Sequence, residues 1–272
     1  MTGGADAVAR ERAPRPAGGG VRGRDEEAWL ELRTPWLAVR DVDAAELMDD
    51  PAADPAALDR TYDRFRFVNA VVSNPGAVYR DWVRPRLSVT HRTRLLDIGA
   101  GGADLPRALL ARARRDRLPL EIVAIDPDER AAAWVAAQPP VAGLEYRRAT
   151  SGEFADAGER FDVVLSNHVL HHLDGPELGA LLADSERLVA PGGVAVHGDI
   201  ARSPFAYGGF WAGTLPFASN LLAGSFIRAD GLTSVRRSFT PAELAAAVPA
   251  GWRVRRAVPS RLELVWGDDG GA

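Results

Sequence analysis

From residue 94 onward the chain alternates short apolar runs with helical ones: RLLDIG, LPRALLARARR, LEIVAID, DERAAAWVAAQ, LEYRRAT, FDVVLSN, PELGALLADSERLVA and PGGVAVHGDI. Strands separated by helices pair in parallel through crossovers, so this order predicts a doubly wound α/β sheet covered on both faces. The first strand runs straight into LLDIGAGGADL, placing a glycine-rich turn at a strand's carboxyl end, where open sheets of this kind bind ligands. Gly99 and Gly101 carry no Cβ, so a ligand can lie against main-chain N–H groups there.

The spacing narrows the choice of ligand. A dinucleotide site asks for Gly-x-Gly-x-x-Gly, but counting from Gly99 the last position is Asp104, and a carboxylate facing pyrophosphate is unfavourable. Asp97, just before the glycines, better suits a ligand with positive charge.

Before the alternating region, DPAALDRTYDRFRFVNAVV reads as a helix entered through Asp54 as N-cap and Pro55 as first helical residue. Leu58, Tyr62, Phe65, Asn69 and Val72 line one face of it. Asn74-Pro75 opens a second, short helix carrying Val78 and Trp82. After PGGVAVHGDI, in which Pro-Gly-Gly is expected to end one helix and start the next strand, a segment of about 40 residues follows, too aromatic and too long for a connection. It reads as an inserted lid over about 200–239. TPAELAAAV then carries a capping box from Thr240 to Glu243, and WRVRRAV and RLELVWG form an edge hairpin. The expected domain plan is a disordered tail at 1–24, a helical cap at 25–90 and an α/β domain at 91–267.

The 272 residues carry 33 basic and 37 acidic side chains, with no basic face that would advertise nucleic acid. There is no Cys, which removes disulfides, thiolate metal sites and a cysteine nucleophile. The N-terminal MTGGADAVARERAPRPAGGGVRGR lacks the apolar run of a secretory signal. FWAGTLPFASNLLAGSFI, the most apolar later stretch, is broken by Pro216 and Asn220 and does not read as a membrane span. A cytoplasmic location and a small-molecule partner are expected, with a homodimer left open.

DIGAGGAD resembles the first motif of class I S-adenosylmethionine-dependent methyltransferases: an acid, any residue, then Gly-x-Gly-x-Gly, with Ala103 in the third glycine position. The resemblance implies a Rossmann-like sheet and S-adenosylmethionine as cofactor, with Asp97, Gly99 and Gly101 at its methionine end. Asp126, ending the second strand, would accept both ribose hydroxyls, since a carboxylate offers two acceptors to a vicinal diol. Thr150 or Ser151 falls where relatives contact the adenine amine, and Ala100, Asp104, Pro127, Asn167 and His168 complete the implied cofactor set. FDVVLSNHVLHHL is similar to the matching segment of ubiquinone and menaquinone biosynthesis methyltransferases. RADGLTSVRRSFTPAEL resembles the last third of actinobacterial methyltransferases associated with polyketide-type pathways. Together these likenesses cover about residues 46–266.

Methyl transfer leaves the protein to align an acceptor, exclude water and remove a hydroxyl proton. His171 and His172 are the first candidates for that base, because a neutral imidazole accepts a proton near physiological pH, and Asp199 is the next. His197 ends the same strand as Asp199 and shares its rim. Asp199 has a structural alternative in an ion pair with Arg202. The H-x-x-H-H spacing of His168, His171 and His172 could also suggest a metal, but no acid is adjacent to complete a site, so none is expected. Aromatic residues of the lid (Phe205, Tyr207, Phe210, Trp211, Phe217, Phe226) and of the preface (Tyr62, Phe65, Phe67) offer an apolar cavity for an aromatic or polyketide-like acceptor, a minority of them touching it. Arg236 and Arg237 are placed either on an acidic acceptor or in solvent. The reading is O-methylation of a phenolic or polyketide-derived metabolite, with C-methylation as alternative. An NAD-dependent oxidoreductase and a non-catalytic cofactor-binding protein are the rivals; the first lacks a Tyr-x-x-x-Lys pair, since the chain has no Lys.

Overall fold

Asp54 accepts a hydrogen bond from the Ala56 N–H at the head of α1 (Pro55–Val72), whose Leu58 and Tyr62 are buried. Asn74 caps α2 (Pro75–Val78), which runs on through a π-helical turn, Tyr79–Val83, burying Trp82. The computed structural model describes residues 35–267. The expected tail at 1–24 and the first residues of the helical preface lie outside that range.

The strands are β1 (Thr93–Ile98), β2 (Leu120–Asp126), β3 (Leu144–Arg148), β4 (Phe161–Asn167), β5 (Val189–Ile200), β6 (Arg253–Ala257) and β7 (Arg261–Gly267). They form one sheet in the order β3-β2-β1-β4-β5-β7-β6, parallel over the first five and antiparallel through the hairpin. The helices are α3 (Asp104–Arg115), α4 (Glu129–Ala136), α5 (Ser151–Asp156), α6 (Gly175–Leu188), α7 (Pro204–Thr214), α8 (Ile227–Arg237) and α9 (Pro241–Ala247).

Alternation along β1 builds two cores. Leu96 and Ile98 pack with Phe154, Leu178 and Leu182, while Leu95 faces Trp82, Leu105 and Leu109 on the opposite side. The Thr240–Glu243 capping box at α9 is present as expected.

One local expectation changes. The Pro-Gly-Gly stretch does not precede β5 but lies inside it, where the register against β4 shifts between Phe161 and Val163. A Cβ on Gly193 would stand 2.8 Å from the Asp162 carbonyl, so this bulge needs glycine. The hairpin stands at the sheet edge as expected, with β7 the inner strand and β6 the outermost. Residues 200–239 fold into α7 and α8, packed on one another. Among the described residues, no helix is long and apolar enough to cross a membrane.

Candidate active site

The turn after β1 uses its small residues as the spacing requires. Gly99 and Gly101 have φ of +68° and +49°, and a Cβ on Gly99 would meet Val169 Cγ2 at 2.5 Å. Around Gly101 there is open space. Ala103, in the third small position, is fully buried and left-handed at φ +59°, a conformation that strains a residue with a Cβ.

A cavity of about 410 Å³ opens here at the strand ends. Asp97, Gly99, Ala100, Gly101, Asp104, Asp126, Pro127, Asn167 and His168 line it, as do His171 and His172. One structure therefore gathers most of the residues singled out from the sequence. Thr150 and Ser151 are different: they do not line it. Thr150 closes a capping box with Glu153 and the Ser151 hydroxyl donates to Asp184, so α5 needs both for its own start.

Electrostatics of the cofactor half favour a cation. Asp97 is 2% exposed and its Oδ1 has no hydrogen-bond partner. Burial, with Asp104 and Asp126 nearby, pushes its carboxyl well above the usual carboxylate range. Burial raises Asp104 and Asp126 too. Asp126 accepts from the N–H groups of Gly101 at 2.8 Å and Asp128 at 2.9 Å, which fixes its carboxylate at the rim of the turn. A bound cation would relieve these clustered acids.

At the other end of the cavity, His171 lies between two carboxylates. Its Nδ1 is 2.8 Å from Asp199 Oδ1, its Nε2 is 3.3 Å from Glu46 Oε1, and all three side chains are buried. Burial opposes charge on the imidazole, yet the attraction and hydrogen bonds of Asp199 and Glu46 prevail and raise it to about 9. Burial alone would raise Asp199, but the charge of His171, aided by His168, holds it well below its ordinary range. The resting imidazole is thus protonated at neutral pH, where the sequence reading expects a neutral base. Asp199 is therefore ionised and holds the His171 ring through Nδ1.

The remaining expectations sort by contact. Arg202 pairs with Glu243 and donates to the carbonyls of Leu37 and Ser238, so it is not the partner of Asp199. His197, two residues deeper on β5, is fully buried, hydrogen-bonded to Ser166 and stacked on Trp252; burial lowers it to about 3, and it belongs to the core. Arg237 donates to the carbonyls of Ala44, His171 and His172, while Arg236 meets Asp41. His172 places Nδ1 3.3 Å from Asp49. His168, at φ +60°, is kept neutral by burial and bonds Ser73 at 3.0 Å. Of the aromatic candidates, Tyr62, Phe65 and Phe210 line this cavity.

Glu46 also corrects the argument against a metal. The acid absent from the local sequence arrives from a distant loop, so that Glu46, His171 and His172 bring donor atoms within 4.8 Å of one another. The ion pair of His171 with Glu46 accounts for their proximity. The loop is itself fixed: Ser234 donates to Glu46, and Asp230 accepts from the N–H groups of Leu47 and Met48.

Comparison with known proteins agrees with this architecture. Residues 96–197 match the family described as a methyltransferase domain. Residues 96–197 are thus similar to a methyltransferase domain. Ubiquinone biosynthesis O-methyltransferases are among its relatives: that of Ruegeria pomeroyi is 38% identical over 116 residues, 42% of this chain and 44% of that protein. That of Azorhizobium caulinodans is 34% identical over 112 residues, 40% of this chain and 41% of its own length. The chain thus matches less than half the length of these curated relatives. In fold, the plantazolicin methyltransferase BpumL in complex with SAH superposes with a TM-score of 0.55 at 11% identity, covering 90% of this chain and 98% of that one. Human N-acetylserotonin methyltransferase gives 0.53 at 14% identity, over 90% of this chain and 68% of that one.

Proposed function

We propose that the protein transfers a methyl group from S-adenosylmethionine to the oxygen of a small phenolic or polyketide-derived acceptor. The observation that carries this reading is the orphaned Asp97 carboxyl beside Gly99 and Gly101, in the same cavity as His171. A sulfonium cofactor with an α-ammonium group is the type of ligand such a site favours, and Asp126 would take its ribose. The sequence relatives named O-methyltransferases support oxygen as the accepting atom.

Bound S-adenosylmethionine supplies an activated methyl group and its own leaving group. The chain's residues do the rest. Glycine backbone and the acidic cluster orient the cofactor, and Tyr62, Phe65 and Phe210 exclude water from the acceptor. His171 takes the hydroxyl proton at Nε2, while Asp199 keeps the ring oriented through Nδ1. Because only the neutral imidazole can accept it, turnover rises with pH up to about 9. Residues 35–90 act as a cap and 200–239 as a lid.

The test is a thermal-shift titration with S-adenosylhomocysteine and NADH in parallel. A ligand at about a hundred times its Kd adds about 2.7 kcal/mol, which moves the midpoint by several degrees in a domain of this size. A shift with S-adenosylhomocysteine alone is expected, and a shift with NADH alone rejects the reading.

A further inference from the structure

A second cavity of about 530 Å³ adjoins the first, and Val68, Val72, Ile200 and Phe210 line both. Its own walls come from α1, α7 and the turn after it, Val235 of α8 and the β6–β7 turn, and are apolar apart from Thr214 and Ser260. The Thr214 hydroxyl is spent on the Phe210 carbonyl. A polar group entering this annex would give up water with almost nothing to replace it.

Phe210 forms the partition. The tip of its ring lies against Gly231 of α8, where a Cβ would stand 2.2 Å from Cζ, so glycine is what lets the ring sit between the two spaces. On the annex side, α7 presents Gly209 and Gly213, and a Cβ on either would meet nothing within 4 Å. The helix therefore leaves room where side chains would otherwise stand.

The first cavity must accommodate a nucleoside cofactor together with the reacting head of the acceptor. Further bulk on the acceptor that passes Phe210 enters space that selects against polarity. We propose that the annex is the subsite for an unbranched apolar tail carried by the acceptor, with Phe210 setting the boundary between tail and reacting head. This assignment rests on the methyl-transfer reading above and specifies its substrate class.

Calorimetric titration of the full-length protein, saturated with S-adenosylhomocysteine, with 4-ethylphenol and 4-heptylphenol tests it. The longer tail adds five methylenes, each worth about fourfold in affinity at full burial, so even partial entry gives about thirtyfold or more. Gly213→Leu and Gly209→Leu fill the annex from a helix that tolerates leucine better than glycine. Both are expected to abolish the tail preference while 4-ethylphenol and S-adenosylhomocysteine bind as before. Equal affinity for the two phenols in the wild type, or a preference that survives both substitutions, overturns the assignment and leaves methyl transfer intact. A protein that is dimeric by light scattering and indifferent to tail length would show the annex to be covered by a second copy. Failure of S-adenosylhomocysteine itself to bind removes the underlying reading and the assignment together.

Discussion

Replacing His171 by Gln tests the charge balance at the heart of the site. His171 is 2% exposed, and its pKa is raised from 6.5 to about 9 between Asp199 and Glu46. At about 1.4 kcal/mol per tenfold change in proton affinity, that elevation amounts to about 3 kcal/mol of folding stability. A folded-state pKa above the unfolded one contributes stability that is complete below about pH 6.5 and is lost as pH rises through about 9. The neutral amide would leave both carboxylates without a countercharge. Urea unfolding of wild type and variant, followed by fluorescence of the buried Trp82 and Trp252, reads the difference. It should be about 3 kcal/mol near pH 6.5 and shrink towards zero by about pH 10. Taking the difference cancels the titration of Asp97 and Asp126, which both proteins share. A gap that stays constant across this range, or no gap at all, would refute an imidazolium clamped by two carboxylates.

Three further outcomes follow from the same geometry. Ala103→Gly should stabilise the protein by about 0.5 kcal/mol, because relief of left-handed strain of about 1–2 kcal/mol exceeds the chain entropy and lost methyl contact that glycine brings; a lower Tm would contradict the strain assigned at φ +59°. Asp97→Asn should weaken S-adenosylhomocysteine binding at least about tenfold, as expected when a buried charged hydrogen-bond partner is removed, and unchanged affinity would show that the orphaned carboxyl faces no cation. In the wild type that affinity should rise with pH as Asp97 ionises, since its pKa is raised when free and a cation favours the charged form; calorimetry across mildly acidic pH would expose the opposite slope.

How much of this was readable in advance depends on the distance over which each residue acts. Strands, crossovers, the Asp54 and Thr240 caps and the turn at Gly99 are encoded within a few residues, and spacing alone revealed them. The H-x-x-H-H stretch was legible as a candidate, but its protonation was not, because Glu46 comes from 125 positions away and Asp199 from the next strand. Glu46 carries no signal that singles it out, since Asp43, Asp49 and Asp50 stand beside it in a loop anchored by Asp230 and Ser234 nearly two hundred residues later. Thr150 and Ser151 also carry a competing local demand, since Thr150 and Glu153 start a helix and the Ser151 hydroxyl is taken by Asp184. Pro-Gly-Gly looked like punctuation and is a bulge, since only the pairing with β4 shows which strand absorbs it.

The placement of β7 also bears on how the molecule is made. It inserts between β5 and β6, and from its first residue Arg261 donates to the Asn167 side chain and to the Val72 carbonyl at the cavity wall. The Asn167 amide in turn donates to the Ser73 hydroxyl that meets His168. A nascent chain that has emerged only as far as β5 already has its glycine turn and Asp126, yet the opposite wall still lacks the guanidinium that ties α1 to β4. The cavity wall and the last described strand are thereby coupled, and ligand binding favours chains in which β7 has docked.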